Sequence, residues 1–171
     1  MAVILPIGGA VLPDGSTNNA APALQRVKSS ASAPAPHFLQ LAFDASTDEM
    51  CYWTFRMPDD YGSAPVLKVQ YKMASATSGN VVISGRIAAV SDGDSTDVDA
   101  KALGTDNTSS ATAVPGTAGY LDEISLSLAN ADSVAAGDLC IVRLARDADN
   151  GSDTAAGDME VVAVSLTYTA A

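Results

Sequence analysis

A chain of 171 residues has room for one domain and an appendage, and a formal net charge of −11 argues against a partner with a phosphate backbone or an anionic membrane surface. Residues 1–40 hold only Asp14 against Arg26 and Lys28, so the acidity belongs to the remainder, where it would keep the protein soluble at high local concentration. Much of the 47% apolar content is Ala, with one Trp, three Phe and five Tyr, so a core has to come from Val, Ile, Leu and Met; Glu and Lys are too scarce for strong helices.

Residues 1–36 stand apart. Pro6, Pro13, Pro22, Pro34 and Pro36 punctuate them, with Gly8, Gly9 and Gly15, and proline removes backbone donors and fixes φ. The stretch is therefore expected to be an extended N-terminal arm, outside any regular sheet or helix. Its apolar residues Val3, Ile4, Leu5, Ile7, Val11 and Leu12 are more than a solvated tail needs. They are expected to dock on a neighbouring subunit, and deleting residues 2–30 is expected to leave the rest folded. The opening MAVILPIGGAVL lacks a basic segment and is broken by Pro6, so it reads as neither an export signal nor a membrane span.

After Pro36 the pattern turns to period two, the signature of strands with one buried face. His37 to Phe43 places Leu39 and Leu41 together. Glu49 to Met57 places Cys51, Trp53, Phe55 and Met57 on one face and Met50, Tyr52, Thr54 and Arg56 on the other. Pro58 to Gly62 is a turn cluster. Val66 to Met73 alternates Leu67, Val69, Tyr71 and Met73 against Lys68, Gln70 and Lys72. Asn80 to Val90 reads as a strand, followed by an Asp-, Ser- and Gly-rich excursion over 91–107 and a weak strand at Thr108 to Val114. Tyr120 to Leu128, Leu139 to Ala145 and Met159 to Thr169 complete the set.

Eight evenly spaced strands without a convincing helix predict an all-β fold, an eight-stranded antiparallel jelly-roll-like sandwich over 37–171 behind the arm. An immunoglobulin-type sandwich is the rival. In its antibody form it fails, because Cys51 precedes Trp53 on the same strand. Cys51 and Cys140 read as free buried thiols on strands that neighbour each other, in a reducing compartment.

Catalytic chemistry has little support. His37 is the only histidine, there is no G-x-S-x-G, and no carboxylate pair is marked out among 20 acids. No catalytic residue and no cofactor are expected. Two Asp-rich loops are candidate calcium sites, Asp92 to Asp99 and the stretch Asp147, Asp149, Asp153 and Asp158, the second ahead. Both lack the Gly and terminal Glu of an EF-hand, and acidic turns are good turns in their own right, so folding without metal is expected. Arg143 shares a face with Leu139 and Ile141; it either pairs with a carboxylate or stands as a solvated edge residue.

The stretch Asp48 to Tyr61, with its aromatic strand ending in Met57-Pro58-Asp59-Asp60-Tyr61, resembles small virion proteins of tailed bacteriophages. So do Ala136-Gly137-Asp138, Leu144 to Asp147 and the ending Leu166 to Thr169. The resemblance implies a jelly-roll capsid decoration or cement protein, commonly trimeric, that binds the major capsid protein and resides in the virion after assembly in the host cytoplasm. The rival function is a carbohydrate-binding or host-attachment module, since jelly rolls also host lectins. Its glycan site would use exposed aromatics, with Tyr52, Tyr61 and Tyr120 as candidates.

Overall fold

A computed structural model describes all residues, 1–171. It contains twelve strands: β1 (Ala2–Leu5), β2 (Ala23–Lys28), β3 (His37–Phe43), β4 (Met50–Arg56), β5 (Tyr61–Met73), β6 (Asn80–Val81), β7 (Ile83–Val90), β8 (Asn107–Thr108), β9 (Thr112–Ala113), β10 (Asp122–Ser127), β11 (Leu139–Arg146) and β12 (Met159–Ala170). Two short 3-10 helices, Ile7–Gly9 and Val98–Ala100, are the only helical elements. No helix is long and apolar enough to cross a membrane.

The strands form two facing sheets. One follows the order β10-β5-β12-β3-β2, with β1 also on β12; the other follows β4-β11-β7-β8, and β6 pairs with β9 separately. Every strand pairing is antiparallel. The alternation seen in the sequence becomes the inner lining. Leu67, Val69, Tyr71 and Met73 of β5 meet Cys51 and Trp53 of β4 and Val142 and Leu144 of β11 in one core cluster of 30 buried residues. Gly85 on β7 lets the sheets close up at one point. A Cβ there would lie 2.9 Å from Leu126 Cδ2 and 3.1 Å from Leu128 Cδ2. This is the jelly-roll-type sandwich the sequence predicts. Two of its eight strands are interrupted, Asn80 to Val90 at Val82 and Thr108 to Val114 in its middle.

The N-terminal segment corrects the expectation of an irregular arm. Proline bounds short strands here without preventing them: Pro6 directly follows β1, and Pro22 directly precedes β2. β1 pairs with β12 from Ala2↔Thr167 to Leu5↔Val164. The six apolar residues read as anchors for a neighbour are split. Leu5 and Ile7 lie in the chain's own core, Val3 and Leu12 pack half-buried against it, and Ile4 and Val11 project outward. The indole of Trp53 donates to Pro6 O at 2.9 Å, tying the segment to the second sheet.

Both cysteines are buried and unbridged. They do sit on neighbouring strands, but Cys51 stands opposite Leu144 and Cys140 opposite Phe55. Four residues of ladder separate them, about 13 Å at strand rise, well beyond disulfide reach. Burial pushes both thiols up, Cys140 to about 12. The native protein is therefore expected to resist alkylation at mildly alkaline pH, and both thiols should react once it is denatured without reductant. Mass spectrometry reads the outcome, and a 51–140 bridge would contradict it.

Candidate functional site

The outer face of the four-stranded sheet carries the densest polar constellation. Its strands turn Cys51, Trp53, Cys140, Val142, Leu144, Ile83 and Ile87 inward, so period two turns the intervening residues outward. Register then aligns three of them in one row: Tyr52 of β4 opposite Arg143 of β11, and Arg143 opposite Arg86 of β7.

Two guanidinium groups side by side repel unless a carboxylate joins them. Asp106, just before β8, does so: Arg143 donates to its Oδ1 at 2.6 Å and Arg86 to its Oδ2 at 2.5 Å. Arg143 also donates to Ser84 Oγ at 2.7 Å. It is only 8% exposed, and burial pulls its guanidinium below its ordinary value, with Asp106 opposing. The Arg86 guanidinium is held above its ordinary value by its bond to Asp106. The Nε atoms of both arginines are buried and have no hydrogen-bond partner in the chain. A buried donor without a partner costs on the order of 1–3 kcal/mol, so the row is under-satisfied within the chain.

A cleft of about 600 Å³ lies over the two arginines of this row, with Tyr52 outside its lining. Met50, Ser84, Arg86, Arg143 and Ala145 come from the sheet, Asp106 and Thr108 from the segment at β8. Asp48 rises from the β3–β4 loop, Asp147 and Asp149 from the β11–β12 loop. The N-terminal segment supplies Asn18 and Ala20 to the lining. It is held there by the exchange between Val11 and Tyr52 (2.8 and 3.0 Å) and by Met50 N donating to Ala20 O at 2.9 Å. What was read as an arm for a neighbour is thus one wall of this cleft.

The acidic loops rearrange the metal candidates. Asp147 and Asp149 do come together, but with Asp48; carboxylate oxygens of the three lie within 4.8 Å of one another. Asp48 comes first among the causes that raise the Asp149 carboxyl above its ordinary value. Asp153 is elsewhere. Its carboxylate is 1% exposed and takes a bidentate contact from Arg146, at 3.0 Å from Nε and 2.8 Å from the terminal nitrogen. Asp158 is outside the trio as well, and its charge falls on Glu49. Asp149 is exposed, and Asp48 and Asp147 are half-buried.

Of the three tyrosines, Tyr52 stands beside the cleft, half-buried. Tyr61 is buried against Tyr168, ring centroids 5.5 Å apart. Tyr120 is 65% exposed in the β9–β10 connection, apart from the cleft. Of the two readings open for Arg143, a carboxylate pair or a solvated edge residue, the first holds, with Asp106 as partner. Asp106 and Arg86 themselves carried no signal, since only the strand pairing shows that they meet.

The sequence matches no protein-family model, and no curated protein is significantly similar to it. Several solved structures align with it. A native family 35 carbohydrate binding module from Clostridium thermocellum aligns over 99% of both chains with a TM-score of 0.50 and 10% identity. CBM6cm-2 from Cellvibrio mixtus lichenase 5A, in complex with cellotriose, aligns over 98% of this chain and 97% of its own at TM-score 0.41 and 8% identity. TmCBM61 with beta-1,4-galactotriose aligns over 86% and 83% at TM-score 0.40 and 16% identity. The first of these has the fold of this chain.

Proposed function

We propose that the protein is a non-catalytic glycan-binding module whose site is the cleft over Arg143 and Arg86, beside Tyr52. The observation that carries the reading is the pair of arginines bridged by Asp106 and set among carboxylates in an open cleft. Such a cleft offers donors and acceptors in alternation, which is what neighbouring hydroxyls of a sugar require. Its volume is in the ordinary range for small-ligand sites. Four Asp line it against three Arg, one of them saturated by Asp153. That balance favours a neutral polyol over an anion. Tyr52 contributes an apolar body beside the arginines. The fold shared with a carbohydrate binding module supports the reading at the level of architecture.

Titration calorimetry against a panel of neutral oligosaccharides tests it. Arg143→Ala and Arg86→Ala should each weaken binding about 10- to 100-fold, the loss of a charged hydrogen bond. Thr54→Ala, on the outer face of β4 and outside the cleft lining, should leave binding unchanged. Failure of the wild-type protein to bind any member of the panel contradicts the proposal.

A second reading keeps the expectation drawn from the phage resemblance: a capsid decoration protein, trimeric, bound to the major capsid protein in the virion. The observation in its favour is the exposed β2–β3 hairpin, a projecting surface suited to assembly. Binding to purified capsids without affinity for the glycan panel would select it.

A further inference from the structure

Of the nine basic side chains, seven stand in ion pairs within the chain. The two that do not are Arg26 and Lys28, both on β2. No acid occurs between Asp14 and Asp44, so this is the one basic region of a strongly acidic protein.

β2 is an edge strand, paired only with β3. β3 itself leaves β12 early, since their register runs only from Phe43↔Met159 to Leu41↔Val161. From Gln40 outward the hairpin is a two-stranded ribbon, a structure of marginal stability alone. It nonetheless exposes Leu24 by 46% and Phe38 and Leu39 by 38% each. Leu24, Arg26 and Lys28 share a face with Leu39 and His37, their cross-strand partners or diagonal neighbours.

The complementary surface is on the same chain. Asp92, Asp94, Asp97 and Asp99 are all exposed, with Val98, and no base intervenes between Arg86 and Lys101. Beside them lies a shallow groove of about 280 Å³ to which Val90, Val98 and Leu139 contribute, with Asp92 at its border and Arg56, whose charge is met by Asp59, also in its lining.

We propose that the β2–β3 ribbon of one copy docks on the Asp92–Asp99 segment of a second copy, joining protomers head to tail. Edge-to-edge pairing of two β2 strands is disfavoured, because it would bring Arg26 and Lys28 against their own counterparts. The head-to-tail contact joins the free cations to free carboxylates and covers Leu24 and Leu39, which share their face. Such heterologous contacts close into rings when the rotation permits. This inference is independent of what the cleft binds.

Sedimentation of the full-length protein at low and high ionic strength tests it. The wild-type protein should associate at low salt and dissociate as salt rises. Arg26→Glu with Lys28→Glu should raise the dissociation constant at least about tenfold, and Asp92→Lys with Asp99→Lys should do the same. All four side chains are exposed, and unchanged far-UV circular dichroism would confirm that both variants fold. Mixing the two charge-reversed proteins should restore association, since each then offers the other a matching surface. A wild-type protein that is monomeric at every salt concentration overturns the proposal. So does an association that either charge reversal leaves intact, or one that mixing fails to restore.

Discussion

Replacing Asp153 by Ala is expected to cost on the order of 3–5 kcal/mol and to lower the melting temperature by roughly 10 °C for a protein of this size. Arg146 has 0% side-chain exposure and Asp153 1%. Besides the bidentate contact, the guanidinium donates to Gly157 O and Ala155 O, both at 2.8 Å. The Asp153 carboxylate also accepts from Val82 N at 3.0 Å. Removing the carboxylate strands a buried cation, and two carbonyls cannot neutralise it. Arg146→Met together with Asp153→Ala should recover part of the loss, because no charge is then left uncompensated. Denaturant titration at low and high salt checks the claim. A buried pair is weakly screened, so the loss should persist in salt. A loss below 1 kcal/mol would place the pair in solvent. The pair also fastens the loop that carries Asp147 and Asp149 to the cleft.

Deleting residues 2–10 is expected to unfold most of the protein. Leu5 and Ile7 are 2% and 7% exposed within the shared core, and burial of each contributes about 2 kcal/mol. The indole of Trp53, itself 2% exposed, would lose its acceptor at Pro6, at roughly 1–3 kcal/mol. The β12 edge from Val164 to Thr167 would lose its β1 partner. Against a total stability of about 5–15 kcal/mol these losses leave little. Circular dichroism and denaturant titration of the truncated protein give the result directly. A cooperative transition of unchanged midpoint would return the segment to the status of an idle arm.

The contrast between this segment and the sandwich shows what period two reveals. Where strands are long and half-buried, as in Leu67 to Met73 or Leu139 to Ala145, alternation alone names the strand and its inner face. β1 has four residues and β2 six, each bounded by a proline, and β2 is exposed along nearly its whole length. A strand with little buried on either face leaves no alternation to read, and proline frequency then dominates the impression. The interruption at Val82 was hidden for another reason: its amide bonds to Asp153, 71 residues away, in place of a ladder partner.

The cleft was legible only in part. Arg143 on an apolar-looking strand face left a carboxylate partner as one of two readings, and Tyr52 is one of three tyrosines the sequence offers as a glycan contact. Asp106 lies in a stretch of Asp, Ser, Thr and Gly where no single acid stands out. Asp48 joins Asp147 and Asp149 from a different loop, so counting ligands along one loop selected Asp153 and Asp158 instead. Both errors have one source: the site is assembled by antiparallel register across β4, β11, β7 and β8, and spacing along the chain does not encode it.

The glycan reading is tested most directly by backbone amide shifts in the 15N-labelled protein as neutral oligosaccharides are added. The account predicts that perturbed amides cluster on residues 50–52, 84–88, 105–108 and 141–149, around Tyr52, Arg86, Asp106 and Arg143, with the face of β5, β10 and β12 unmoved. Shifts confined to that opposite sheet or to the exposed Tyr120 connection, or no shifts with any sugar, would contradict it.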